Sequence, residues 1–166
     1  MEDLVDTVIE DARWATIGLE ALAGPAVLAA FGELGLAPAG FSLCVMGCDD
    51  ARIAGLNAEF RGKQVPTNVL SWPAWDLSAE VEGGVPGAPE PGREEAESLG
   101  DIALAYETCA REAAEAGKTV ADHVTHLVVH GLLHLLGYDH DRDGDAARME
   151  ALEVRILARL GISDPY

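Results

Sequence analysis

Residues 119–140 read Thr119-Val120-Ala121-Asp122-His123-Val124-Thr125-His126-Leu127-Val128-Val129-His130-Gly131-Leu132-Leu133-His134-Leu135-Leu136-Gly137-Tyr138-Asp139-His140, and they hold four of the chain's five histidines on one otherwise apolar stretch, with the fifth at its end. Thr119, with Asp122 three residues on, opens the stretch as a capping-box helix start. Gly137 closes it, because glycine accepts the left-handed conformation that ends helices. Helical spacing then sets His123, His126, His130 and His134 along roughly one face.

His130 and His134 are four apart, so their rings project from adjacent turns and can grip a single ion. Adding His126 would spread the set over about 12 Å of helix, too far for nitrogens that must each lie about 2.1 Å from the ion. A chain swung back by Gly137 supplies His140 instead. The expected metal ligands are therefore His130, His134 and His140, around one divalent ion, with Zn2+ the default because it suits three neutral imidazoles, although nickel, copper or cobalt would also bind such a site. His123 and His126 are expected to be structural or to support the ligands from behind.

The ligand and glycine spacing of 130–140 is that of the metzincin proteases. Their glutamate, which takes a proton from the attacking water, is replaced here by Gly131, so peptide hydrolysis by that route is disfavoured. A metalloprotease-like hydrolase of another substrate stays as one alternative. The other comes from Asp139-His140-Asp141-Arg142-Asp143-Gly144 with Glu150 six residues on, which matches the calcium-loop pattern D-x-D-x-D-G-x5-E and would make 139–150 a calcium-binding helix-loop-helix. Ala146 stands where such loops carry a branched apolar residue, and no second copy exists. The bland reading of this segment has Asp143 capping a last helix, with Asp145 and Glu150 in its first turns.

Around this helix, Val5–Ile9 reads as a strand and 14–34 as helix, broken near Gly24-Pro25. A strand at 41–46 is followed by Asp49-Asp50, able to cap a helix running to about Phe60. Strands at 69–72 and 102–106, a helix at 107–116 stopped by Gly117, and a final helix from about Asp143 to Leu160 complete the chain. Between them, 77–98 carries clustered Gly and Pro with six Glu against one Arg, and reads as an acidic, flexible loop with no chemistry assigned to it. The expectation is one α+β domain over 1–166, with helices packed on one small sheet and the metal site on a central helix.

The net charge of −18 is awkward for a nucleic-acid ligand, which normally leaves a basic footprint. Met1-Glu2-Asp3 is unlike a secretory signal, no stretch reads as a membrane span, and Cys44, Cys48 and Cys109 form no C-x-x-C pair. These features lead us to expect a cytoplasmic protein whose cysteines are small buried hydrophobes.

The string H-G-L-L-H-L-L-G-Y-D-H at 130–140 resembles the signature of the YbeY family of bacterial endoribonucleases. Leu56-Asn57 through Phe60-Arg61-Gly62-Lys63, then Pro66-Thr67-Asn68-Val69-Leu70-Ser71-Trp72-Pro73, resemble a second block of that family. Leu99-Gly100-Asp101-Ile102, Met149-Glu150-Ala151-Leu152-Glu153 and Asp164-Pro165-Tyr166 resemble others, so the likeness covers most of the chain. The resemblance implies a small mixed β-sheet covered by helices and zinc-dependent cleavage of single-stranded RNA, with ribosomal RNA precursors as substrates, especially toward the 3′ end of the 16S rRNA. It also implies a role in ribosome quality control, with ribosomal proteins as partners and no DNA substrate. Arg61 becomes the candidate cation for transition-state charge, with Lys63 as a substrate-binding residue. Asp101 is read either as orienting a ligand histidine or taking a proton, or equally as a strand-end turn residue.

Overall fold

The computed structural model describes residues 4–62 and 65–166, the side chains of Phe60 and Arg61 excepted. Its elements run β1 (Val5–Ile9), α1 (Arg13–Ile17), α2 (Leu19–Leu34), β2 (Phe41–Cys48), α3 (Asp50–Arg61), β3 (Val69–Pro73), β4 (Glu97–Ala105), α4 (Tyr106–Glu115), α5 (Val120–Leu135) and α6 (Asp143–Arg159). The strands form one sheet in the order β1-β2-β4-β3, with β1, β2 and β4 parallel and β3 antiparallel on the edge. This is the expected mixed sheet with helices.

Strand alternation divides the core between two faces. Leu43, Val45, Ile102 and Leu104 meet Val27, Phe31, Val128 and Leu132 in the larger cluster, while Leu70, Ala103 and Ala105 meet Ile53 and Leu56 of α3 in a smaller one. Asp101 precedes Ile102 and is exposed, so it points away from the face that α5 covers and orients none of its histidines.

Helices α3 and α5 start at side-chain caps. Asp49 accepts a bond from the Arg52 amide at 2.7 Å, and Thr119 accepts one from the Asp122 amide at 3.1 Å. Two expectations fail. The first long helix breaks at Gly18, at φ +78°, and α2 runs through Pro25, because Ala23, Ala26, Val27, Ala30 and Phe31 bury one continuous face that offsets the lost backbone bond. At the other end Arg142 occupies the N-cap position of α6 and Asp143 is its first helical residue, with no side-chain cap.

Helix α5 is held by Val124, Leu127, Val128, Leu132, Leu133 and Leu135, all buried. Each such side chain is worth about 1.5–3 kcal/mol on burial, so packing alone fixes the helix that bears the histidines. Its approach to the sheet is close. A Cβ on Gly131 would lie 3.1–3.3 Å from three side-chain atoms of Ile102 on β4. Position 131 therefore faces the sheet, and a carboxylate there would be driven into apolar packing.

Residues 77–96 form no regular element, yet they are tied to the start of α6. Glu82 accepts from the Gly144 amide at 3.0 Å, Asp145 accepts from the Gly83 amide at 2.8 Å, and Arg148 donates to the Gly83 carbonyl at 2.9 Å. An acidic side chain on the amides of a helix N-terminus is a favourable pairing. Cys48 and Cys109 are buried as expected, while Cys44 is only partly so. Among the described residues no helix is long and apolar enough to cross a membrane.

Gly131→Glu should lower the free energy of unfolding by about 2 kcal/mol or more, through overpacking and a buried charge. Urea unfolding checks it; a midpoint equal to that of the parent protein would show that this side of α5 has room.

Candidate metal centre

The last turn of α5 ends as the glycine predicts. Gly137 has φ +98°, and a Cβ on it would lie 2.6 Å from the Leu77 backbone, so both the turn and the close approach require glycine. The Tyr138 amide donates back to the Leu133 carbonyl at 3.0 Å. This leaves the Tyr138 carbonyl against the His134 ring, 3.0 Å from its Nδ1.

The turn also returns His140 to the helix end. Nitrogens of His130, His134 and His140 all lie within 4.8 Å of one another. The His140 ring centroid is 5.4 Å from that of His130 and 5.0 Å from that of His134. The ligand set expected from spacing is thus brought together.

Behind His130 stands a residue that the spacing argument missed. Glu153 of α6 is fully buried, and its carboxylate lies 2.5 Å from His130 Nδ1, 3.4 Å from His126 Nε2 and against the Tyr166 hydroxyl. Burial pushes the carboxyl up, but hydrogen bonds from His126, His130 and Tyr166 outweigh it and hold the pKa down at about 2. Glu153 occupies the buried stripe Met149, Leu152, Glu153, Ile156, Leu157, where a charged residue at a core position was the available sequence signal.

These partners set the tautomers. A carboxylate and a carbonyl only accept, so Nδ1 of His130 and Nδ1 of His134 both carry the proton. Both Nε2 atoms then present lone pairs, and they face each other 3.0 Å apart. Two lone pairs at that distance repel, which a metal ion between them relieves, whereas a shared proton at neutral pH is opposed by the burial of His134. A third imidazole within reach is more than a shared proton uses, so the donor set fits a divalent transition metal. Burial pushes the His134 ring down to about 4, with the neighbouring His130 and His140 adding to the shift, which keeps it neutral and ready to ligate at pH 7.

The cluster opens into a groove of about 810 Å³ whose walls include Asn68, Ser71 and Trp75 on one side and Tyr138 to Asp141 on the other. Its described lining holds Asp76, Asp139 and Asp141 and neither Lys nor Arg. Arg61 ends α3, its side chain and Lys63 lying outside the described residues; the chain from there joins the groove wall at Thr67. His123 sits apart from the cluster, its Nε2 3.0 Å from Glu112.

The calcium loop does not form. Helix α6 begins at Asp143, and Gly144 is helical rather than in the sharp turn that the sixth loop position requires. The exposed carboxylates of Asp139 and Asp141 do approach His140, but they share that histidine with the cluster above.

Acid should destabilise the metal-free protein through His134. Its folded pKa lies below the unfolded value of 6.5, so the unfolded chain takes up the proton first and stability falls as pH drops from 6.5 toward 4. The loss is on the order of 3 kcal/mol. Glu153 adds a further loss below pH 4.5. Urea midpoints of chelator-treated protein at pH 7 and 4.5 check this: His134→Asn should show a smaller drop than the parent, and equal drops would contradict the assignment.

Comparison with known proteins converges on one family. The family model described as Endoribonuclease YbeY matches residues 12–161. Proteins named Endoribonuclease YbeY from Dinoroseobacter shibae and Ruegeria pomeroyi are 61% and 60% identical over 162 residues, covering 98% of this chain and 90% and 97% of theirs. One from Cereibacter sphaeroides is 60% identical and covers both chains in full. The solution structure of a Thermotoga maritima protein shares the fold, with a TM-score of 0.55 at 20% identity and 97% of each chain covered. With a family model spanning nearly all of its elements and relatives alike along their whole length, this chain belongs to the Endoribonuclease YbeY family.

Proposed function

We propose that this protein is a zinc-dependent endoribonuclease that cuts single-stranded RNA and acts in ribosomal RNA processing, toward the 3′ end of the 16S rRNA, and in ribosome quality control. The observation that carries the metal part is the facing pair of Nε2 lone pairs, 3.0 Å apart, with His140 beside them. The names of the family and of its full-length relatives carry the ribonuclease part.

His130, His134 and His140 would hold one Zn2+, leaving a coordination position open. Such an ion would supply Lewis-acid chemistry toward a phosphodiester. The chain's own residues do the rest. Glu153 and the Tyr138 carbonyl keep the ligand rings in the required tautomers. Trp75 is 54% exposed in the groove, its indole N–H held by Glu97 at 3.1 Å, and offers an unpaired base a face to stack on. Arg61 is assigned to the negative charge that gathers on the phosphoryl oxygens, and Lys63 to the RNA backbone.

Since the described groove lining is acidic, a phosphate there would be drawn chiefly by the ion, with Arg61 and Lys63 as the proposed further cations. Affinity for free RNA should therefore be low. Ribosomal proteins are the proposed partners that bring the substrate, in the cytoplasm. Peptide cleavage is disfavoured because Gly131 faces Ile102 and offers no base.

Cleavage of a single-stranded fragment from the 3′ end of 16S rRNA by zinc-loaded protein tests the reading. His134→Ala, whose helix stays anchored by its apolar side, should cut at least about 100-fold more slowly. Equal cutting by both proteins would contradict the metal-dependent assignment. Removing zinc with a chelator should also abolish RNA binding in a filter assay, and unchanged binding would overturn the electrostatic argument.

A further inference from the structure

We infer that Tyr166, acting through Glu153, is a positioning residue for the metal centre, so that the segment after α6 helps set metal affinity although it contributes no ligand. The inference rests on the metal reading above.

The starting point is an energetic oddity. An ionised carboxylate with no solvent exposure is among the most expensive groups to place in a core, and a leucine in the same stripe of α6 would serve packing better. Glu153 is kept ionised by donors converging from separate parts of the chain: His126 and His130 on α5, and Tyr166 beyond α6. Their arrangement divides the labour. Oε1 takes the His130 Nδ1–H at 2.5 Å, while Oε2 takes the His126 Nε2–H at 3.4 Å and the Tyr166 hydroxyl. Two donors on Oε2 fix the rotation of the carboxylate, and that rotation aims Oε1 at His130.

His126 is the weaker of the two. Its bond is long, and its own Nδ1 is buried without a partner, so the ring gains little elsewhere from its position. The Tyr166 ring packs edge-on against the His126 ring, centroids 5.8 Å apart at 89°, and so braces it as well. Burial, with the Glu153 carboxylate adding to it, pushes the phenol pKa up, so the hydroxyl remains a donor throughout the neutral range. Tyr166 is itself 61% exposed and sits among His123, His126 and Glu112, in a pocket that adjoins the substrate groove at Asn68, Val69 and His130, while Tyr166 itself does not line the groove. Removing its hydroxyl touches neither the ligands nor the helix packing.

A histidine ligand whose second nitrogen loses its oriented carboxylate typically costs about 10–100-fold in metal affinity. Tyr166→Phe should sit near the lower figure, because His126 remains, and Glu153→Gln near the upper one. Both variants and the parent are titrated with Co2+, with the dissociation constant and the visible ligand-field spectrum read together, and chelator-treated samples are unfolded in urea to show that each is folded. The expected result is about 10-fold weaker Co2+ binding by Tyr166→Phe with shifted ligand-field bands. A merely structural tyrosine would change the urea midpoint and leave affinity and spectrum alone, which overturns the inference while the metal reading stands. A parent protein that binds no Co2+ or Zn2+ overturns both.

Discussion

Two imidazole nitrogens with their lone pairs turned toward each other, Nε2 of His130 and Nε2 of His134, are 3.0 Å apart, and much of the molecule is organised to keep them there. Left alone, the rings would rotate or one would protonate. What prevents rotation lies on the far side of each ring. The Glu153 carboxylate holds His130, and the Tyr138 carbonyl holds His134. Both only accept hydrogen bonds, so the polarity of the centre is dictated by groups that never touch an ion.

Each holding group has its own cost, offset elsewhere. The Tyr138 carbonyl depends on the left-handed Gly137, whose missing side chain also lets the Leu77 backbone pass at close range. Glu153 requires a charge in the core, compensated by the bonds it accepts. Helix α5 sits low on the sheet because Gly131 lets it rest on Ile102, and the same close seating removes the general base that a protease would need there. Packing and chemical restriction are thus one feature. The acidic segment 77–96 is tied to the start of α6 through Glu82 and Asp145, and its first residues, Leu77 and Ser78, line the groove where Leu77 meets Gly137.

The histidine set was legible because it is local. Three ligands and a helix-ending glycine lie within eleven residues, and helical geometry alone decides which rings can meet. The strands were legible for the same reason, as short apolar runs, but their mixed directions depend on pairing across the chain and were expected only from the family resemblance. Glu153 was not, because it reaches His130 from 23 residues away on a different helix, and a glutamate in a helix this acidic looks like a solvated one. Only its place among Met149, Leu152, Ile156 and Leu157 marks it. Pro25 misled in the opposite direction, as burial of the α2 face overrode a local helix-breaking preference. The calcium pattern at 139–150 was a match of letters whose fifth and sixth positions the chain spends on the first turn of α6.

X-ray absorption at the zinc edge of the loaded protein tests the central claim most directly. A first shell that includes three imidazole nitrogens at about 2.0–2.1 Å, with multiple-scattering features that vanish stepwise in His130→Ala, His134→Ala and His140→Ala, is the predicted result. A shell of carboxylate oxygens or thiolate sulfur, unchanged by those substitutions, would place the ion elsewhere and leave the facing lone pairs to a proton.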